Sequence, residues 1–205
     1  AGNTLMVNAD VIGETKLPYG TYTASSAEVA GYVVDSVGGG SVVVLGGIAP
    51  NPVRGVSFLW SAPTGLVPLA LPDPNVSVNA NGISVDGTLV GGTLQVPQAF
   101  STLGRYSLDG GWEPVACGAI GRALSSDGTT IVGASSNDQG DFAAIRWSAV
   151  TGLEPLGALP GSSESFAYGV SGDGSVVVGS HGDGQFPNER AFVWDEESGV
   201  RDVQT

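Results

Sequence analysis

The sequence predicts an all-β protein made of four repeats of about 46 residues, each folding as four short strands. Three observations carry this reading. A glycine turn followed by a valine-rich run recurs four times: GGGSVVVLG at 38–46, VDGTLVGG at 85–92, SDGTTIVG at 126–133 and GDGSVVVG at 172–179. An aromatic landmark follows each one, in FLWSAPTGLVPL (58–69), GRYSLDGGWEPV (104–115), IRWSAVTGLEPL (145–156) and FVWDEESGVRDV (192–203). The two landmarks keep one period. Ser41, Thr88, Thr129 and Ser175 are 47, 41 and 46 residues apart, and Trp60, Tyr106, Trp147 and Trp194 are 46, 41 and 47 apart. Between the landmarks nothing has the 3.6-residue spacing of a helix, and 33 Gly and 12 Pro in 205 residues punctuate the chain with turns.

The elements follow in order. VIGETKLPYG at 11–20 resembles LEPLGALPGS at 153–162, so residues 1–30 read as an arm or as the tail of a preceding unit, with LMVNADVI as its strands. The units are then about 31–76, 77–117, 118–163 and 164–205. The first strand of a unit is ANGISV, GRALSS or AYGVSG. It leads into an Asp-Gly turn, read as a two-residue hairpin turn with positive φ at both central residues. The valine run that follows is apolar at nearly every position and is predicted to be buried on both faces. The third strand alternates up to the Trp or Tyr. A turn such as Ala-Pro-Thr-Gly or Ala-Val-Thr-Gly then leads to a fourth strand, GLVPL, GLEPL or GVRDV. Four strands in some 40–47 residues, repeated, are the signature of β-propeller blades. The sequence leaves three closures open: an N-terminal strand that completes the ring against the last blade, a larger or intermolecularly completed propeller, and an open solenoid. The last would leave sheet edges to be covered.

FAYGVSGDGSVVVGS at 166–180 with AFVW at 191–194, together with RWSAVTGLEPLGALPG at 146–161, resembles the HAF-type extracellular repeat of secreted and autotransporter-like bacterial proteins. The resemblance runs through residues 118–203. It is looser in the first unit, where Gly-Gly-Gly replaces Ser-x-Asp-Gly, and in the second, where Tyr106 replaces Trp. It implies a β-propeller-like array and a place at the cell surface or outside the cell. It brings no catalytic motif with it.

Composition excludes several function classes. Seven Lys and Arg against 20 Asp and Glu give a net charge of −13, which argues against a nucleic-acid partner and against docking on anionic lipid. No apolar run is long enough to span a bilayer as a helix. With one cysteine and one histidine, Cys117 and His181, there is no intramolecular disulfide and no zinc set. Cys117 reads as a small hydrophobe at a strand end. His181, in SHGDGQFPNER, reads as a surface loop residue with Asp183 as its one nearby orienting acid, and no Gly-x-Ser-x-Gly elbow exists.

Candidate binding residues come from the connections. APNPVR (49–54), LQVPQAFST (94–102), SSNDQGD (135–141) and HGDGQFPNER (181–190) all join the second strand of a unit to the third, which places them on one face. Phe100, Gln185, Phe186 and Arg190 are the predicted contacts for a protein or glycan partner. Trp60, Trp147 and Trp194 repeat at one position and are read as core, whereas Trp112 stands beside a Gly-Gly turn and is read as an exposed contact. Asp86, Asp127 and Asp173 are accounted for by turn geometry, and Asp195-Glu196-Glu197 by a solvated turn. Asp138 and Asp141 remain as candidate Ca²⁺ ligands, without the Asp-x-Asp-x-Asp-Gly spacing of a dedicated loop. The expected function is a non-catalytic extracellular propeller serving as an interaction or adhesion surface. One alternative is a decoration subunit of a virion or extracellular filament that self-associates through its N-terminal arm by strand addition. The other is a polysaccharide-active enzyme, which needs two acids, or His181 and an acid, converging in space.

Overall fold

The computed structural model describes residues 4–7, 10–14, 27–34, 41–47, 56–61, 65–73, 75–96, 98–136, 140–183 and 189–203, with side chains from Leu69 onward and at Ser57 and Leu59. β1 (Thr4–Val7) and β2 (Asp10–Glu14) pair only with each other. Four antiparallel four-stranded sheets follow. The first holds β3 (Ala27–Val34), β4 (Ser41–Gly47), β5 (Val56–Ser61) and β6 (Gly65–Pro68). The second holds β7 (Ser77–Ile83), β8 (Leu89–Gln95), β9 (Thr102–Ser107) and β10 (Gly111–Cys117). The third holds β11 (Ala119–Leu124), β12 (Thr130–Ser136), β13 (Phe142–Ser148) and β14 (Gly152–Pro155). The fourth holds β15 (Glu164–Val170), β16 (Val176–Gly182), β17 (Arg190–Asp195) and β18 (Gly199–Asp202). In every sheet the order in space is the order in sequence. β3 starts at Ala27, ahead of the boundary drawn at residue 31. Among the described residues no helix is long and apolar enough to cross a membrane.

The sheets stack in chain order through their first strands. β7 lies on β3, β4 and β5; β11 lies on β7, β8 and β9; β15 lies on β11, β12 and β13. The aromatics that mark the period fill the core so formed: Tyr106, Trp147 and Trp194 are each buried among aliphatic side chains, where a large side chain contributes roughly 1.5–3 kcal/mol. Two of the three junctions add a cation–π contact. Arg105 lies 5.5 Å from the Trp147 ring and Arg146 lies 4.6 Å from Trp194, a cation held over the next sheet's indole. Both guanidiniums are fixed by the acid opposite them on the fourth strand, Arg105 by Glu113 at 3.1 Å and Arg146 by Glu154 at 2.8 Å.

A bulge explains one recurrent glycine. Each first strand carries an extra residue, between Ala80 and Gly82, Gly121 and Ala123, and Ala167 and Gly169. The strand opposite approaches so closely there that a Cβ on Gly92, Gly133 or Gly179 would overlap the carbonyl oxygen of Asn79, Ile120 or Phe166. The first sheet has its bulge between Val29 and Gly31, and there Leu45 stands in the glycine's place.

Two expectations are corrected. β8 and β12 are buried on both faces, but β16 is not: its side chains alternate, with Val176 and Val178 exposed and Val177 buried, because among the described residues no further sheet packs closely on its outer side. The Asp-Gly turn is not a two-residue turn. Ser84 N–H donates to Leu89 O (2.9 Å), closing a four-residue loop, and Gly87 N–H donates to Ser84 O (2.9 Å). Only the glycine has positive φ, 70° at Gly87, 75° at Gly128 and 76° at Gly174.

Candidate functional site

The two ends of the stack differ in chemistry. At the turn end, three Asp side chains are tied into copies of one network. The hydroxyls of Ser84, Ser125 and Ser171 donate to Asp86, Asp127 and Asp173 at 2.5–2.6 Å. The N–H groups of Thr88, Thr129 and Ser175 donate to the same oxygens at 3.0 Å, and their hydroxyls add a third bond at 2.8–2.9 Å. The turns are joined sheet to sheet, Val85 N–H to Ser126 O (2.6 Å) and Asp127 N–H to Gly172 O (3.0 Å). These donors stabilise the ionised carboxylates. Asp86 and Asp127 lie below the usual range, chiefly through the hydroxyls of Ser84 and Ser125. Asp173 is lowered to about 2, first by Ser171 and then by the Ser175 N–H.

The opposite end gathers the connections between second and third strands and between successive sheets. Gly118, between the second and third sheets, donates its N–H to Ser101 O (2.9 Å) and accepts from Ser136 N–H (3.0 Å). Ser163, between the third and fourth sheets, donates to Gly182 O (2.9 Å). The connections therefore share one end. Here the second sheet displays Val96 and Phe100, the latter 72% exposed, near the end of β10 where Cys117 is also exposed. Arg190 is exposed as well, but its guanidinium is engaged by Asp202 at 2.8 Å. Gln185, Phe186 and Asp138 lie outside the described residues. Asp141 is described and has interaction partners. Among the described residues no three His, Cys, Asp or Glu side chains converge as a metal group would need.

Trp112 is not an exposed contact. It is 8% exposed, directly opposite Tyr106 on β9, with ring centroids 5.4 Å apart. Positive φ at Gly111 turns the chain back so that Trp112 takes the position that Leu153 and Val200 hold opposite Trp147 and Trp194. Aligning Gly111 with Gly152 and Gly199 in the sequence is the signal that places it there.

His181 is likewise not a surface loop residue. It sits in β16 opposite Arg190, with its side chain 1% exposed. Nδ1 is 2.7 Å from Ser162 Oγ. Nε2 has no hydrogen-bond partner, and the acid it faces is Asp202, at 3.9 Å, rather than Asp183. The fourth sheet is unlike the others at these three positions. In the second sheet Leu94, Thr102 and Pro114 stand where the fourth has His181, Arg190 and Asp202. A serine hydroxyl, an imidazole and a carboxylate are thus brought together, the convergence a hydrolytic reading requires. Yet the imidazole is closed to solvent and the carboxylate is held by Arg190. In this arrangement the cluster can fix the connections around it.

No protein-family model and no curated protein matches the chain. Similarity appears among solved structures. A structure assigned as TolB from Agrobacterium tumefaciens superposes with a TM-score of 0.59 at 17% identity, over 78% of this chain and 60% of that one. TolB from Acinetobacter baumannii gives 0.58 at 16%, over 78% and 40%. The Dos1 propeller gives 0.52 at 14%, over 88% and 46%. The chain thus spans 60% or less of the length of these structures. At such identities they show the fold, which is that of a β-propeller.

Proposed function

We propose that the chain is a non-catalytic β-propeller module of four blades that binds a protein or glycan partner at the cell surface or outside the cell. The observation that carries this reading is Phe100: exposed aliphatic side chains occur at both ends, Val85, Leu108 and Val150 at the turn end and Val96 at the loop end, but among the described residues the aromatic ring exposed at an end of the stack is that of Phe100. At the turn end the Asp-Gly turns satisfy their own polar groups in three near-identical copies. At the loop end the copies diverge and expose a large aromatic, Phe100, with Val96 beside the same connection. Binding residues concentrate on connections that a rigid scaffold positions, and an exposed aromatic at such a place is the usual anchor of a contact. The resemblance to exported bacterial repeats supplies the location. The decoration-subunit and polysaccharide-enzyme alternatives have weaker support, the second because the His181 ring is buried and Asp202 is paired with Arg190.

The test is retention of the purified chain on intact bacterial cells and on immobilised polysaccharides. Phe100→Ser is expected to lower retention at least tenfold, whereas Asp127→Asn, at the turn end, leaves it unchanged. Equal loss from both variants, or retention that ignores Phe100, would remove the loop end as the binding surface.

A further inference from the structure

Along the edges formed by the first strands the units diverge. β7, β11 and β15 are each the edge strand of their sheet, and the extra residue of each bulge is Asn81, Arg122 and Tyr168. The position two residues earlier holds Asn79, Ile120 and Phe166. Asn81 turns to the next sheet and donates from Nδ2 to Gly121 O (2.6 Å). Arg122 also reaches the next sheet, its guanidinium 5.4 Å from the centre of the Tyr168 ring. On β15 burial alternates. Ser165 and Ala167 are buried against the third sheet, where Ser165 Oγ accepts from Ala144 N–H (2.9 Å). Phe166 is half-buried and Tyr168 exposed, their rings 6.3 Å apart and within 22° of parallel. Phe166 stands opposite Ser180 on β16, whose hydroxyl is buried without a partner, so water does not reach the sheet beside the ring. Phe142 of β13 extends the row, 5.2 Å from Phe166. Three rings and a guanidinium thus form one strip across the junction of the third and fourth sheets.

This strip is not a copy of the Arg–Trp contacts in the core. Arg105 and Arg146 are each fixed by a carboxylate and lie over buried indoles. Arg190 and Arg201 are paired too, with Asp202 and Asp195. Among the described residues Arg122 is the arginine without an ion pair, and the ring beneath it is 48% exposed. Arg122 stays exposed with the fourth sheet packed on its own, so a stacked sheet leaves this edge open. In a chain of net charge −13, an exposed cation held on an aromatic face and left without an acid suits a carboxylate from outside. The rings beside it suit an apolar surface, which a pyranose offers through its C–H face. An extended peptide fits less well, since it would pair with a sheet edge, and a bulge in each first strand obstructs such pairing. The chain's negative charge repels a polyanion, and Glu164 opens the same strand two residues before Phe166. The ligand that fits is a largely neutral sugar chain carrying an isolated carboxylate.

We propose that Arg122, Tyr168, Phe166 and Phe142 form a glycan subsite, in which the rings stack on pyranoses and Arg122 pairs with the carboxylate of a single uronic acid. The subsite lies along β11, β13 and β15 and does not rest on the Phe100 contact.

Calorimetric titration of the intact chain tests it with two probes, xylotetraose and xylotetraose bearing one glucuronic acid. The acidic probe is expected to bind, and the neutral one to bind roughly tenfold more weakly. Arg122→Gln should erase that difference and leave Tm unchanged. Tyr168→Leu, which keeps an apolar side chain but no ring, should weaken both probes roughly tenfold. Phe100→Ser should change neither. If Tyr168→Leu does not fold, Arg122→Gln decides alone. An acidic probe that fails to bind at millimolar concentration overturns the proposal. So does equal binding of the two probes by the wild type, or a preference that survives Arg122→Gln. Binding lost with Phe100→Ser but kept with Tyr168→Leu would put the sugar at the loop end, which overturns this subsite and leaves the loop-end reading standing.

Discussion

The third and fourth sheets share a backbone, a bulge, an Asp-Gly turn and a buried indole, but one is clamped on both sides and the other on one. In the third sheet Val132, Ala134 and Ala144 are fully buried under β15; in the fourth, Val176 and Val178 face outward. The second strand opens on three β-branched residues in both, Thr130-Ile131-Val132 and Val176-Val177-Val178, followed by the bulge glycine. Its burial is decided by stacking order, not by local sequence, so a repeat can write one strand that serves as core in the middle of the stack and as a surface at its end.

The sharpest way to break this comparison is at the bulge glycines. A Cβ on Gly133 meets only backbone, the Ile120 carbonyl and Gly121 Cα, while one on Gly179 meets the Phe166 carbonyl and the Phe192 ring. Both substitutions to alanine force strands apart. The third sheet has neighbours on both faces and nowhere to move, so Gly133→Ala should cost about 3 kcal/mol, whereas the half-free fourth sheet relaxes and Gly179→Ala costs about 2 kcal/mol. Urea unfolding of the two variants reads the difference. Equal or reversed costs would mean that the open face confers no freedom.

A smaller effect separates the two faces of the fourth sheet itself. Ser165→Ala leaves the buried Ala144 N–H without its acceptor and should cost about 1–3 kcal/mol. Ser180→Ala removes a hydroxyl that has no partner and should be neutral or slightly stabilising in the dilute chain. Thermal unfolding at low concentration checks the pair, and a comparable loss from both would show that Ser180 is bonded after all.

How much of this was legible depends on distance along the chain. The period exposed the repeats, the four strands and the shared end of the connections, because each follows from spacing alone. The turn was half legible. Asp-Gly marked it, but the serine two residues before the Asp and the Thr or Ser two residues after it, which build the four-residue loop, were not given weight. Trp112 was misplaced although its glycine register located it. The cluster of Ser162, His181, Arg190 and Asp202 was hidden, because it is assembled by the pairing of β16 with β17 and of β17 with β18. Its trace is the appearance of His and Asp where a sister unit has Leu94 and Pro114. The open face of β16 had no local signal at all.

The turn end offers the gentlest test. Asp127 and Asp173 are copies of one turn, yet they are not equivalent, since the charge of Asp173 opposes ionisation of Asp127. Their folded pKa values lie below the unfolded value of about 3.9, with Asp173 at about 2. A depressed carboxylate contributes stability that is present above the unfolded pKa and is lost as pH falls through the folded one. The stability of the chain should therefore decline between about pH 4 and pH 2, and only slightly for each exposed group, because solvent screens it. Asp173→Asn should flatten that decline. It should also shift the Asp127 titration to lower pH, because the opposing charge is gone. Carboxyl-carbon NMR follows Asp127 directly, and added salt should shrink the shift as screening grows. An Asp127 titration that ignores the substitution would mean that the two turns are joined by their backbone bonds alone.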